Sequence, residues 1–182
     1  MQSPADPYDL VRGLRVVRRY RPDPIDGDDL AAILEAGRWT GSSKNRQDWA
    51  FVAVTDRGVI ADLAGCGNFT GPLHGAAAVV VPVRLPGGND FDIGRLSQNF
   101  MLAAWARGVG SCPVTFHHAG CAERVLGVPP EHRAGWGIAL GYPDEPAEAE
   151  LRSSLGSMLP RRGRKPLREL VHRDRWGGLT PG

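Results

Sequence analysis

Side chains able to grip a phosphorylated or planar polar ligand gather in four stretches of this 182-residue chain. The first is Arg15-Val16-Val17-Arg18-Arg19-Tyr20, and the second is Ser42-Ser43-Lys44-Asn45-Arg46-Gln47-Asp48-Trp49. The third runs from Gly108 to Phe116 and includes Pro113, Val114 and Thr115; the fourth is Arg162-Gly163-Arg164-Lys165. Two guanidiniums flanking a glycine suit a phosphate, because each donates in a planar fork that matches phosphate oxygens. Short hydroxyl and amide side chains suit the edge of a heteroaromatic ring. Taken singly, each stretch reads equally well as an ordinary solvated loop.

Other chemistries lack their residues. No G-x-S-x-G elbow, HExxH pair or GxxxxGK[ST] phosphate loop is present. Gly65-Cys66-Gly67 starts like a dinucleotide fingerprint, but Gly71 falls one residue late and no strand precedes it, so it reads as a turn. His117 and His118 are adjacent, which on a regular element points them apart, so no metal site is expected. Three cysteines (Cys66, Cys112, Cys121) form an odd set with no CxxC, which argues against a disulfide framework. Nothing marks Cys112 as a nucleophile.

The elements that must hold these stretches follow from caps and periodicity. Asp6-Pro7-Tyr8-Asp9 starts a helix expected to run toward Val17. Asp26 starts a second, with Leu30, Ile33, Leu34 and Gly37 on one face. The stretch from Trp39 to Asp48 reads as loop, Phe51 to Val54 as a short strand and Val59 to Leu63 as a short helix. Ala76 to Val83 is a continuous apolar run of strand length, predicting a strand buried on both faces. Asp92 to Arg107 gives the strongest helix, with Ile93, Leu96, Phe100, Ala103 and Ala104 on one side. Cys112 to Phe116 reads as extended, Ala119 to Leu126 as a helix closed by Gly127, and Trp136 to Leu140 as a last strand. No repeat or linker divides this order, so residues 1–182 read as a single α+β domain.

Composition sets the outer bounds. Apolar residues make up 42% and charged residues 23%, which excludes a mostly disordered chain. A net charge of +2 is too small to argue for nucleic acid. No apolar run approaches the roughly 20 residues of a membrane span, and no leader pattern opens the chain, so a cytoplasmic protein is expected.

The order and spacing of the four stretches resemble the FMN-dependent nitroreductase family, from about Leu14 to about Leu167. Arg-x-x-Arg-x-aromatic at Arg15, Arg18 and Tyr20 is similar to the family's opening. Ser42-Ser43-x-Asn45-x-Gln47-x-Trp49 resembles its Pro-Ser-x-x-Asn-x-Gln-Pro-Trp loop. Asp92-Ile93-Gly94 with Gln98-Asn99 resembles its central helix, and Ile138 to Pro143 its last core strand. The resemblance implies a mixed, mostly antiparallel sheet flanked by helices, in a homodimer with exchanged C-terminal tails. The core would span about 8–170 and the tail about 168–182, with Trp176 wrapping onto the partner.

It further implies FMN held by both chains and NAD(P)H as electron donor, with nitroaromatics, quinones or related small molecules as acceptors in a ping-pong cycle. Arg15, Val16 and Arg18 match positions beside the flavin, with Arg18 near its N1 and C2 carbonyl. Ser42, Ser43, Asn45 and Gln47 match a loop that serves the partner's flavin. Pro113, Val114, Thr115 and Phe116 match the segment facing the ring, with an N–H from Thr115 or Phe116 toward N5. Arg162 and Arg164 match the pair that grips the phosphate. No protein acid or base is nominated, and no nucleic acid or membrane partner is expected.

The chain departs from the pattern at Leu14 and Val16, which cannot donate side-chain hydrogen bonds where members carry Arg and Ser. Asp48 replaces a usual proline. Phe69 and Pro72 stand where some members reach the pyrimidine ring with polar groups, with Asn68 one step away. The short Arg84 to Asp90 connection omits helices that many members insert as a lid. Two alternatives follow: a specialised flavoenzyme of the same fold (a dehydrogenase, dehalogenase or flavin-cleaving enzyme), or a dimer that only binds or sequesters flavin.

Overall fold

The computed structural model describes residues 6–158 and 163–178, with the backbone alone for 155–158. The chain divides into two compact units, residues 1–148 and 149–182. Four strands build the first unit: β1 (Trp49–Val54), β2 (Ala78–Arg84), β3 (Gly110–Thr115) and β4 (Trp136–Gly141). Their spatial order is β1-β2-β4-β3, and every ladder is antiparallel. One parallel contact joins this sheet, an isolated bridge between Val16 and Ser111 on the outer edge of β3.

Helices α1 (Pro7–Gly13), α2 (Gly27–Arg38), α3 (Arg57–Ala64), α4 (Asp90–Ala106), α5 (Cys121–Leu126) and α6 (Glu145–Met158) complete the regular structure. Their starts follow from capping: Asp6, Asp26, Asp56 and Asn89 each accept a hydrogen bond from an N–H in the first turn. Helix α1 stops at Gly13, short of the expected Val17. The β-branched Val16 and Val17 pair with the sheet edge instead, the Val17 N–H donating to the Ser111 carbonyl at 2.9 Å. Tertiary pairing there outweighs the helical pattern.

β2 is buried on both faces, and its alternate residues enter two different cores. Val79, Val81 and Val83 pack with Leu63 of α3 and Ala122 of α5. Ala78 and Val80 pack with Ile33 of α2 and with Leu96 and Phe100 of α4. A continuous apolar run is what a strand with no solvent face requires. Helices α2 and α4 approach closely at Gly37, where a Cβ would sit 2.1 Å from the Phe100 ring.

Two features depart from the sequence reading. Cys66 and Cys121 form a disulfide that ties the loop after α3 to the start of α5, leaving Cys112 as the free, buried cysteine. An odd count is compatible with one bridge, and chain positions 55 residues apart in sequence carry no local sign of meeting. Helix α6 also occupies a stretch to which no element was assigned from the sequence. Asp144 caps it, accepting from the Ala147 N–H at 3.1 Å.

The second unit, taken alone, continues α6 and adds a short 3-10 turn at Leu167–Glu169. Its described side chains are largely exposed, Trp176 at 90%, with the His172 and Trp176 rings 4.2 Å apart. Among the described residues, no helix is long and apolar enough to cross a membrane.

Candidate functional site

Three elements converge on the outer edge of β3. The segment from Val16 to Tyr20 runs beside it and is pinned at several points. Val16 bridges Ser111, the Tyr20 hydroxyl donates to the Val17 carbonyl at 2.6 Å, and the Arg21 N–H donates to the Tyr142 carbonyl at 2.9 Å. The loop after α3 is held by the disulfide, by the Thr70 hydroxyl on the Ala64 carbonyl, and by His118 against the Gly65 carbonyl at 3.0 Å. His117 also serves this loop, accepting from the Asn68 N–H at 3.4 Å and stacking edge-on with Phe69. Both histidines thus brace structure.

Between these elements opens a cleft of about 520 Å³. Arg18 and Val16 form one side, Asn68, Phe69 and Pro72 the other, and Cys112 and Pro113 the floor. The structure thereby brings together Val16, Arg18 and Pro113 of the sequence-derived set. The Arg18 guanidinium is exposed and makes no hydrogen bond or ion pair among the described residues. Arg15 differs: its guanidinium donates to the Arg12 and Leu14 carbonyls at 2.6 and 2.9 Å, closing the end of α1. Val16, 39% exposed, presents an apolar surface to the cleft.

Strand geometry separates the two N–H groups expected near the ring. Phe116 is buried, and its N–H donates to the Gly135 carbonyl at 3.0 Å, so it faces β4. Hydrogen-bonding direction alternates along an antiparallel strand, so the Thr115 N–H points to the open edge. Pro113 has no N–H and lines the cleft as an exposed apolar residue. Val114 is buried in the core. Burial pushes the Cys112 thiol up to about 11, a protonated and weakly reactive group near neutral pH.

The loop carrying Ser42, Ser43, Asn45 and Gln47 lies outside the lining of this cleft in its own chain. Its backbone is unusual: Lys44, Asn45 and Gln47 have φ of 53°, 54° and 53°. Side-chained residues reach this left-handed region at a cost of roughly 1–2 kcal/mol each. The loop is nevertheless held: Ser42 Oγ accepts from the Gln47 N–H at 2.9 Å, and Arg46 bridges Asp48 at 2.6 Å and the Gly87 carbonyl at 2.9 Å. Asp48, in place of the usual proline, is one anchor of that brace.

Arg164 is exposed within the second unit, and Arg162 lies outside the described residues. A larger cleft of about 920 Å³ opens beyond Trp136, among Arg84, Arg124 and Arg133. Of the four polar stretches it includes only Phe116, so the smaller cleft is the better candidate. Sequence reasoning missed one participant, Glu148, whose buried carboxylate accepts the backbone N–H groups of Arg18 and Arg19 at 2.8 and 3.0 Å. It belongs to no motif, and only the capped start of α6 could have drawn attention to it.

The sequence profile of the nitroreductase family matches residues 11–66 and 73–142. A protein of Archaeoglobus fulgidus named for NADH dehydrogenase/NAD(P)H nitroreductase activity is 25% identical over 178 residues, 92% of this chain and 97% of its own. The NADPH-flavin oxidoreductase of Vibrio harveyi is 26% identical over 158 residues, 76% of this chain and 66% of its own. The solved structure of the NADPH:FMN oxidoreductase of Vibrio harveyi, in complex with NAD+, superposes with a TM-score of 0.80. It is 22% identical and covers 95% of this chain and 79% of its own.

Proposed function

Because the chain belongs to the nitroreductase family, we propose that it is a cytoplasmic FMN-dependent NAD(P)H oxidoreductase, working as a homodimer on small acceptors such as nitroaromatics and quinones. The observation that carries this reading is the cleft itself. It combines Pro113 with an Arg18 guanidinium that makes no hydrogen bond or ion pair among the described residues, and the outward Thr115 N–H lies farther along the same sheet edge. Those groups fit FMN: an apolar floor for a planar ring, a cation for its pyrimidine end and a donor for a ring nitrogen.

FMN, when bound, supplies the ability to take a hydride from NAD(P)H and pass electrons to an acceptor. The protein's own contribution is electrostatic and geometric. Arg18 places positive charge where reduction adds negative charge. The Thr115 N–H would donate to the ring's edge, and Pro113 and Val16 would shield the face against the protein from water. The five-residue Leu85 to Asn89 connection leaves no lid built from this stretch, which favours a broad range of acceptors over tight selection. Ser42, Ser43, Asn45 and Gln47 serve the partner's cleft in this reading; their braced backbone, set away from their own cleft, supports it.

A second reading is favoured by one feature. Val16 lines the cleft without a donor and Leu14 offers none, so the site suits a dimer that stores flavin as well as one that turns it over. Anaerobic NADPH separates the two. We expect the bound flavin to bleach at about one NADPH per FMN and its colour to return when a quinone is added. Flavin that neither NADH nor NADPH bleaches would establish storage and remove the oxidoreductase reading.

A further inference from the structure

Glu148 is 4% exposed, yet its carboxylate makes no ion pair among the described residues. Its Oε2 accepts two backbone N–H groups, from Arg18 at 2.8 Å and Arg19 at 3.0 Å. A buried carboxylate is costly, and a neutral glutamine could accept the same donors without its charge. The negative charge therefore exceeds what holding the backbone requires. It sits directly behind the residue whose guanidinium lines the cleft.

We infer that Glu148 is a positioning residue of the flavin site: it fixes the backbone that presents Arg18, and its charge offsets part of Arg18's field across the cleft. The inference rests on the reading that this cleft holds FMN. Two lines support it. The segment is anchored on both sides of Arg18, by the Val16–Ser111 bridge and by the Asp144 N–H on the Arg19 carbonyl at 3.1 Å, and between those anchors the Glu148 carboxylate takes the Arg18 and Arg19 N–H groups. The two charges also act with opposite sign on common neighbours: Arg18 draws the Cys112 thiol and the Tyr20 phenol toward ionisation, and Glu148 opposes it.

A negative charge behind Arg18 makes a bound flavin harder to reduce, since reduction adds negative charge at the same place. It also keeps an exposed cation from holding a reduced, anionic ring too firmly for the electrons to move on. Glu148 thus sets the balance between accepting electrons and releasing them.

The test is the midpoint potential and dissociation constant of FMN on wild type, Glu148→Gln and Glu148→Asp. Glutamine keeps an acceptor and loses the charge. The account expects Glu148→Gln to bind oxidised FMN within about threefold of wild type. Its midpoint should rise by about 30 mV, a tenfold change in the two-electron equilibrium. Glu148→Asp keeps the charge and should stay near the wild-type midpoint. A Glu148→Gln protein with an unchanged midpoint overturns the inference. Should that variant fail to fold, Arg18→Gln reads the same pair from its other member: its midpoint must fall, and an unchanged value again overturns the inference. A wild type that takes up no FMN is a separate result, which removes the functional reading beneath it.

Discussion

Arg164→Ala is expected to raise the FMN dissociation constant about tenfold to a hundredfold while leaving riboflavin affinity unchanged. The range corresponds to one charge-assisted contact of about 1.5–3 kcal/mol. Riboflavin lacks the phosphate, so a contact specific to that group cannot affect it. The side chains of Leu14 and Val16 have no donor to offer a phosphate in the proposed site. Arg15 is also committed, its guanidinium closing the end of α1 on two carbonyls. In the proposed reading the phosphate contact is therefore assigned to the late basic pair of Arg162 and Arg164. Fluorescence titration of both flavins against both proteins checks it. Equal FMN affinity in wild type and variant would make the Arg161 to Arg164 run a solvated turn and end the phosphate assignment.

Breaking the Cys66–Cys121 bridge is expected to cost about 4 kcal/mol of folding stability. A cross-link spanning 55 residues removes conformational freedom mainly from the unfolded chain, and the loop-entropy relation gives that value. In urea, with a slope of about 2 kcal/mol per molar, the unfolding midpoint should fall by about 2 M on reduction or in Cys66→Ala. The effect reaches the site, because Asn68, Phe69 and Pro72 follow Cys66 directly and form one side of the cleft. Oxidised protein in denaturant should titrate one thiol, Cys112, and reduced protein three. Three thiols before reduction, with coincident urea curves, would contradict the bridge.

What the sequence made legible follows from which forces act locally. Caps at Asp6 and Asp26 and the double-sided burial of β2 are set by nearby residues and unbroken patterns, and both were readable. The end of α1 was not, because Val16 and Val17 leave the helix for a partner strand about 95 residues away. Helix α6 was not assigned from the sequence: its start at Asp144, Glu145, Glu148 and Glu150 is acidic, and one of these, Glu148, turns inward onto the Arg18 backbone. The disulfide had no local trace at all.

The site divides in the same way. Arg18, Val16 and Pro113 were placed by their motif and meet in one cleft. The choice between the Thr115 and Phe116 N–H groups needed the strand register, since only pairing with Gly135 shows which of the two faces inward. The Ser42 to Gln47 loop has no periodicity and was visible only through its resemblance. Its left-handed backbone at three side-chained residues emerged from the fold.

The central claim is that this chain holds FMN in the Arg18–Pro113 cleft, and the most direct measurement is an absorbance spectrum. Protein incubated with excess FMN and then desalted should be yellow, with bands close to those of free flavin and about one FMN per chain. Protein that passes through the same treatment colourless would contradict the account.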